Sequence, residues 1–360
     1  MPAGYLFYRV WQTNDDKRDS TKLEQLGVEY VTNLAPLISA LAEAQAAAMQ
    51  GASGAPASLS AAVARVAAAD QRLGDALGTR ERWTGLRDKI GQLSSVAGNP
   101  LNVYQAHVEV GDLALALYDE VRNNSRLIRD PDNDLSHLQQ AVAVDLPNTV
   151  VQVSRMGVLS LMLANVQGSA KDKATQQAIL GPQLGAAVQS VNSSVNSLTD
   201  DLQAAVDDTN SATLSGDLVT GLDSFRRGVE SSTRGANPGG APNAATMATA
   251  QTELQTAANG LTGLLVREMN GLLKDRLDNL DTQRLEALLA AGVAVLLTLT
   301  SLVLWLTGRR RRRSPLIGET TRDMSVRQSG HEPGYANFID RVPSYGEVNP
   351  TRRERSGALR

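Results

Sequence analysis

The stretch ALLAAGVAVLLTLTSLVLWLT, residues Ala287–Thr307, precedes Gly308 and five consecutive arginines. It contains 21 residues without a charge, and at about 1.5 Å per residue such a helix matches the roughly 30 Å hydrocarbon core of a bilayer. Trp305 lies near its end, where an indole ring prefers the headgroup level. The alternative is a buried helix of a soluble domain, but such helices are rarely charge-free for so long and then followed by five like charges. The pattern therefore predicts a transmembrane helix over residues 285–308.

Charge asymmetry predicts the orientation of this helix. Residues 309–360 contain 12 Arg, no Lys and 6 acidic residues, a net charge of +6, and the preceding 308 residues carry −9. Basic segments next to a transmembrane helix tend to remain in the cytoplasm. We therefore expect an inner-membrane protein with an extracytoplasmic body and a cytoplasmic C-terminus. The candidate membrane-interface residues are Trp305, Arg309, Arg310, Arg311, Arg312 and Arg313.

The first residues, MPAGYLFYRVWQ, are apolar and aromatic but too short to span a membrane. They also lack the basic start and cleavage site of a signal peptide. Because an extracytoplasmic body must be exported, we expect residues 1–21 to include the outer end of a first transmembrane helix that starts upstream. In the alternative arrangement the body is cytoplasmic and the tail is exported, which the five arginines oppose.

Residues 22–284 show apolar residues at helical spacing and no alternating strand pattern. We predict an all-α fold: an elongated antiparallel helical bundle, or two such bundles stacked end to end, continuous with the transmembrane helix. Gly and Pro clusters divide it, and Pro147 is expected to kink the fourth helix. The predicted helices cover Lys22–Met49, Ser58–Ala97, Val103 to about Asp130, Leu138–Leu161, Lys173–Leu214, Asp217–Arg234 and Ala244 onward.

Sequence motifs for catalysis or for a cofactor are absent, and with no Cys there is no disulfide or thiolate site. The three histidines are far apart: His107 fits a hydrogen-bonded core position, His137 a partly exposed first turn, and His331 lies beyond the transmembrane helix. Asp130, Asp132 and Asp134 could suggest calcium, but the Gly and Glu of an EF-hand loop are missing, so a turn with a helix cap is favoured. The pair Asp200–Asp201 is interpreted as a solvated helix face. We therefore expect no enzyme, no metal and no cofactor.

A short phrase ahead of the fourth helix carries a family resemblance. The segment from Asn124 to Leu138, with its Asp-Pro-Asp, followed by Leu-Pro and a further Arg, resembles the ligand-sensing ectodomains of bacterial methyl-accepting chemotaxis receptors and diguanylate cyclases. Residues Glu24–Leu34 are similar to the first ectodomain helix of that family, and Asp275–Arg284 to its exit helix. The family-motif residues are Ser125, Leu127, Asp130, Pro131, Asp132, Leu146, Pro147 and Arg155.

The chain also departs from that family. Ala44–Ala48 stand where relatives usually carry Arg-Gly, and Ser136-His137 replace an expected aromatic pair. Neither a HAMP region nor a kinase, cyclase or methyl-accepting region follows the transmembrane helix. The resemblance implies detection of an outside stimulus by a helical bundle, without the usual transmitter.

Residues 309–360 contain few apolar residues and are expected to be a disordered cytoplasmic tail. Its aromatic segment Pro333–Ile339 is a candidate docking site for a cytoplasmic protein partner. Candidate phosphorylation sites are Thr320, Thr321, Ser325 and Ser329, which lie among arginines.

The sequence thus favours a sensor-like membrane protein that detects an envelope stimulus or partner and relays it to a separate cytoplasmic protein. The alternative is a structural or scaffold protein of the envelope that binds no small molecule. Expected partners are the lipid bilayer, the cytoplasmic protein and a second copy in a homodimer. Nucleic acid is not expected, because the arginines are tethered to the bilayer without interleaved aromatic residues.

Overall fold

The computed structural model describes residues 2–52, 54–96, 98–128, 130–209, 214–237 and 242–311, and within these ranges every regular element is helical, as predicted. The chain divides into two units, one ending at Leu299 and one beginning at Thr300. The elements are α1 (Pro2–Met49), α2 (Ala57–Leu77), α3 (Arg80–Gln92), α4 (Pro100–Asn124), α5 (Asn133–Gln140), a π-helical turn (Ala141–Asp145), α6 (Leu146–Ala164), α7 (Ala170–Asp208), α8 (Leu214–Ala236) and α9 (Ala244–Arg311), with a 3-10 turn (Leu93–Ser95) after α3.

Several helix boundaries differ from the sequence prediction, among them the end of α4, which lies at Asn124 and not near Asp130. Ser58–Ala97 is not one helix, because Gly78 takes a left-handed conformation (φ 62°) and ends α2. Thr79 donates a hydrogen bond to the buried Asp70 at 2.6 Å, which holds this break against α2. The fifth predicted helix ends at Asp208, and Leu214 begins α8. The residues before Lys22 are not separate from the first helix, since α1 starts at Pro2.

The irregularity expected at Pro147 is a π-helical turn that immediately precedes the start of α6. Proline has no N–H to donate to the preceding turn, so the backbone must depart from regular α-helical bonding nearby. Such π turns are frequent at functional sites. This one places Asp145 inside the bundle, where the residue is 5% exposed.

The core of the first unit is one continuous cluster of hydrophobic side chains contributed by α1 to α9. Its largest fully buried members are Tyr30, Tyr118 and Phe225, and Leu and Val supply most of the rest. With so few aromatic residues, the helices can approach closely. Burial of aliphatic side chains contributes roughly 25 cal/mol per Å² and stabilises the bundle without disulfides.

Helices α8 and α9 approach closely through glycines spaced seven residues apart. Gly221, Gly228 and Gly235 face Leu261, Leu254 and Met247 of α9, which are also seven residues apart. A Cβ atom at Gly228 would lie 2.9 Å from the Cα of Leu254, so a larger residue there would meet backbone. A seven-residue repeat keeps one helix face directed at the same neighbour.

Helix α9 contains the only stretch in the described chain that is long and apolar enough to cross a membrane, and no residue of its most apolar window is buried. Leu289, Leu297 and Leu304 are 63%, 64% and 72% exposed. Exposed apolar surface of this extent marks an interaction with lipid or protein. Trp305 is 54% exposed. The other candidate interface residues are arginines: Arg309–Arg311 are helical, and Arg312 and Arg313 lie outside the described residues.

Candidate ligand-sensing site

The family-motif segment between α4 and α5 is anchored against α1. Ser125 is fully buried and donates a hydrogen bond from Oγ to the carbonyl of Val121 at 2.6 Å. A Cβ atom at Gly27 would overlap this hydroxyl, so the glycine lets the segment approach α1. Leu127 is buried next to it. These contacts fix the start of the loop that carries Asp130, Pro131 and Asp132.

Arg276 of α9 joins this loop to α1. Its guanidinium bonds both carboxylate oxygens of Asp130 (Nη1 to Oδ2 is 3.0 Å), and it contacts Asp132 Oδ2 (Nη2 at 2.6 Å) and Glu24 Oε2 (Nη1 at 3.1 Å). The side chain of Arg276 is 16% exposed, that of Glu24 4% and that of Asp130 0%. We call Arg276, Glu24, Asp130 and Asp132 the Arg276 cluster.

The prediction that this acidic stretch is a turn with a helix cap is therefore only partly right. Asp132 occupies the N-cap position of α5 but its side chain makes no capping hydrogen bond, and its carboxylate instead binds Arg276. Asp130 accepts hydrogen bonds from the backbone N–H of Asp132 at 2.8 Å and from Gln139 Nε2 at 3.1 Å. Its role is that of a buried ion-pair partner, which sequence spacing alone could not reveal.

The Arg276 cluster brings three carboxyl groups to one guanidinium. Burial, and then the negative charge of Asp130, raise the pKa of Glu24 to about 7, although Arg276 opposes the shift. Burial alone would lower the pKa of Arg276, but its bonds to Asp130 and Asp132 hold that pKa above its usual value. Glu24 therefore exchanges a proton near neutral pH while Arg276 remains charged.

A groove of about 1040 Å³ lies beside the Arg276 cluster, and Glu24, Asp132 and Arg276 line it. The groove is open to solvent and mostly polar. Its further charged lining residues are Lys17, Asp134, Asp208, Glu268 and Asp275. A solute entering it would reach a buried arginine and a carboxyl group with a strongly shifted pKa, a combination typical of binding sites.

A second polar cluster surrounds the π-helical turn. His137 Nδ1 lies 2.8 Å from Asp201 Oδ1 of α7. Burial, and then the neighbouring Asp201, raise the pKa of Asp145 to about 7. The prediction that Asp201 lies on a solvated face is wrong, because its side chain is only 22% exposed and contacts His137. His137 is 35% exposed, as expected for a residue at the edge of the bundle.

The remaining family-motif residues lie away from the Arg276 cluster. Leu146 is buried at the start of α6, and Arg155 donates to Asp112 Oδ1 of α4 at 2.6 Å and to the carbonyl of Val108 at 3.3 Å. His107 is buried as predicted and burial lowers its pKa. Among the described residues, however, the expected hydrogen bond to its ring is not seen. The candidate phosphorylation sites, the docking segment of the tail and His331 lie outside the described residues.

Chemically, the Arg276 cluster is equipped to bind charge and to exchange a proton. Within the ranges that the structure describes, no group of three or more His, Cys, Asp or Glu side chains is arranged to hold a metal ion. In the Arg276 cluster, the positive charge between the carboxylates is the guanidinium of Arg276. No family model matches this chain, and no curated protein or solved structure matches it either.

Proposed function

We propose that this protein is a membrane-anchored sensor whose extracytoplasmic helical bundle detects an envelope stimulus or partner and relays it to a separate cytoplasmic protein. One observation carries the proposal. Arg276 lies on the same continuous helix as the charge-free stretch, and it binds carboxylates of α1 and of the α4–α5 loop beside a large open groove. The resemblance of this loop to chemoreceptor ectodomains supports the same function.

The proposed mechanism follows from how buried ion pairs respond to a ligand. A ligand that binds Arg276 or its carboxylates competes with contacts that hold α9 to α1 and to the loop. Because an uncompensated buried charge is costly, the helices would settle into a second arrangement rather than leave a carboxylate unpaired. A small shift of α9 along its axis would then reach the membrane and the tail.

A second candidate function is a structural protein of the envelope without a small-molecule ligand, and the packing of the bundle interior favours it. Two cavities between the helices of the first unit are small, about 30 Å³ beside Ser154 and Met247 and about 10 Å³ beside Tyr118. The first could hold about one water molecule. A ligand site would therefore have to lie in an open surface groove rather than in the core.

Cysteine labelling tests the topology, because the chain contains no native Cys. Ser193 is exposed on α7, so Ser193→Cys should react with an impermeant maleimide in intact cells, and Ser314→Cys should react only after lysis. The reverse pattern would refute an extracytoplasmic body.

Proximity labelling from the C-terminus then separates sensor from scaffold. In a sensor, Arg276→Gln should change how strongly the tail labels its cytoplasmic neighbours, whereas Arg65→Gln, an exposed arginine of α2, should not. Asp132→Asn, which removes only the more exposed contact of Arg276, guards against simple loss of folding. Unchanged labelling in both cluster variants would favour the scaffold.

A further inference from the structure

A basic cleft lies between α1 and α9, next to the start of the charge-free stretch. It has a volume of about 270 Å³, close to the lower end of ligand pockets at roughly 300 Å³. Its lining residues are Arg9, Val10, Trp11, Thr13, Asn14, Lys17, Gln283, Arg284 and Ala287. Three of these are basic and none is acidic, in contrast to the acidic groove around Arg276.

Two of the three cations have no side-chain partner among the described residues. Arg9, Thr13 and Lys17 follow one another at intervals of four residues, which places them along one face of α1. Among the residues that the structure describes, neither the Arg9 guanidinium nor the Lys17 ammonium group forms an ion pair or a side-chain hydrogen bond. Both are therefore available to an anion in the cleft.

Arg284 is held in place on the other side of the cleft. Its guanidinium lies 4.0 Å from the ring centroid of Trp11, a cation–π contact, and 3.5 Å from Asp15 Oδ1. Asn14 fixes the two helices together by donating to the carbonyl of Leu280 at 3.0 Å. The cleft therefore lies between two helices that contact each other directly, and one of its three cations is held in a fixed position.

The surroundings point to a lipid. Ala287, the first residue of the charge-free stretch, lines the cleft. On the same part of α1, Tyr5, Tyr8 and Val10 are 62%, 62% and 59% exposed. Aromatic side chains with a polar end prefer the membrane–water interface, where lipid phosphates lie. An apolar exposed surface directly beside unpaired cations fits a molecule with an acyl chain and an anionic headgroup.

We propose that this cleft binds the phosphate group of an anionic phospholipid, with Arg9 and Lys17 as the charge-neutralising residues and Arg284 as the pre-positioned third cation. The inference rests on the membrane placement in the proposed function; Lys17 also lines the groove beside the Arg276 cluster, whereas Arg9 and Arg284 line only the cleft. Lipid bound there would connect α1 to α9 at the membrane surface.

The test compares the full chain with Arg9→Gln/Lys17→Gln and with the charge-matched control Lys171→Gln/Lys173→Gln, two exposed lysines of α7. Each protein is placed in nanodiscs of phosphatidylcholine with or without phosphatidylglycerol, and native mass spectrometry counts retained phosphatidylglycerol. At about 1 kcal/mol per basic residue, the cleft variant should bind phosphatidylglycerol roughly 30-fold more weakly, and the control should match the parent chain. Equal retention by the two double variants would overturn the proposal.

Two further experiments distinguish a wrong ligand from a wrong membrane placement. Inorganic phosphate added to phosphatidylcholine nanodiscs should not bind detectably; binding that depends on Arg9 and Lys17 with an affinity equal to that of phosphatidylglycerol would overturn a lipid ligand. Extraction of the chain from membranes by alkaline carbonate would refute the membrane span itself. In that case phosphatidylglycerol in mixed detergent micelles still tests the cleft on its own.

Discussion

Replacing Glu24 with Gln measures how much the ionised carboxylate of Glu24 lowers the free energy of unfolding. The glutamine keeps the size of the side chain and corresponds to the protonated carboxyl group. In the folded chain the pKa of Glu24 is raised to about 7 from an ordinary value of 4.5, and the side chain is 4% exposed. The substitution therefore removes a titration without opening a cavity.

The sign of the effect follows from proton binding. Between pH 4.5 and about 7 the folded chain holds a proton on Glu24 that the unfolded chain has lost, so the free energy of unfolding decreases as pH rises through this window. At about 1.4 kcal/mol per pKa unit, the cost above pH 7 reaches up to about 3 kcal/mol.

The assay is urea unfolding of the full chain in detergent, followed by circular dichroism and by tryptophan fluorescence, to which the buried Trp83 contributes. At roughly pH 8, Glu24→Gln should be more stable than the parent chain by 1 to about 3 kcal/mol, and near roughly pH 5 the difference should vanish. Glu253→Gln, at an exposed position of α9, should match the parent at both pH values. A stability difference for Glu24→Gln that is independent of pH would refute the reasoning.

Three further substitutions test other parts of the fold by the same unfolding assay. Arg276→Gln leaves buried carboxylates uncompensated and should cost roughly 3 to 5 kcal/mol, against less than about 0.5 for the exposed Arg65→Gln; a cost below 1 would contradict a tight cluster. Gly228→Ala should cost roughly 1 to 3 kcal/mol because the new methyl group meets the backbone of α9, whereas Gly260→Ala, which faces open space, should be neutral or stabilising. Asp145→Asn should stabilise the bundle above about pH 7 and have little effect near pH 4, because burial raises the pKa of this carboxyl group to about 7.

The helical architecture was predictable because its determinants are local. Apolar spacing, the Gly98-Asn99-Pro100 stop and the charge-free stretch act over a few residues, and the structure follows them in α4 and α9. The break at Gly78 was missed because apolar residues continue at helical spacing across it. The break depends on the left-handed conformation of Gly78 and on the hydrogen bond from Thr79 to Asp70, and apolar spacing indicates neither of them.

The Arg276 cluster was not predictable as a unit, since Arg276 is 144 to 252 residues away from its three carboxylate partners in the chain. The position of Arg276 in the sequence nevertheless carries information about its burial. Arg276 falls in the same helical register as the buried Met269, Leu273 and Leu280. A charged residue in an apolar register must find a partner, because burying an unpaired charge is prohibitive. The sequence could indicate that Arg276 has a buried partner, but not that the partner is the Asp-Pro-Asp loop.

Because the pKa of Glu24 is raised to about 7, the number of protons released or taken up on binding would indicate the charge of a ligand in the groove. A cation bound near Glu24 and Asp132 would lower the pKa of Glu24, so binding would release a proton near pH 7. An anion that draws Arg276 away would remove the larger of two influences that lower this pKa, the other being the hydrogen bond from Ser20, so the pKa would rise further and a proton would be taken up. Calorimetric titration in buffers of different ionisation enthalpy measures this proton directly, and Glu24→Gln should abolish it. A ligand that binds the groove with no proton exchanged in either direction would show that it does not perturb the contact between Arg276 and Glu24, and the mechanism proposed for α9 would fail.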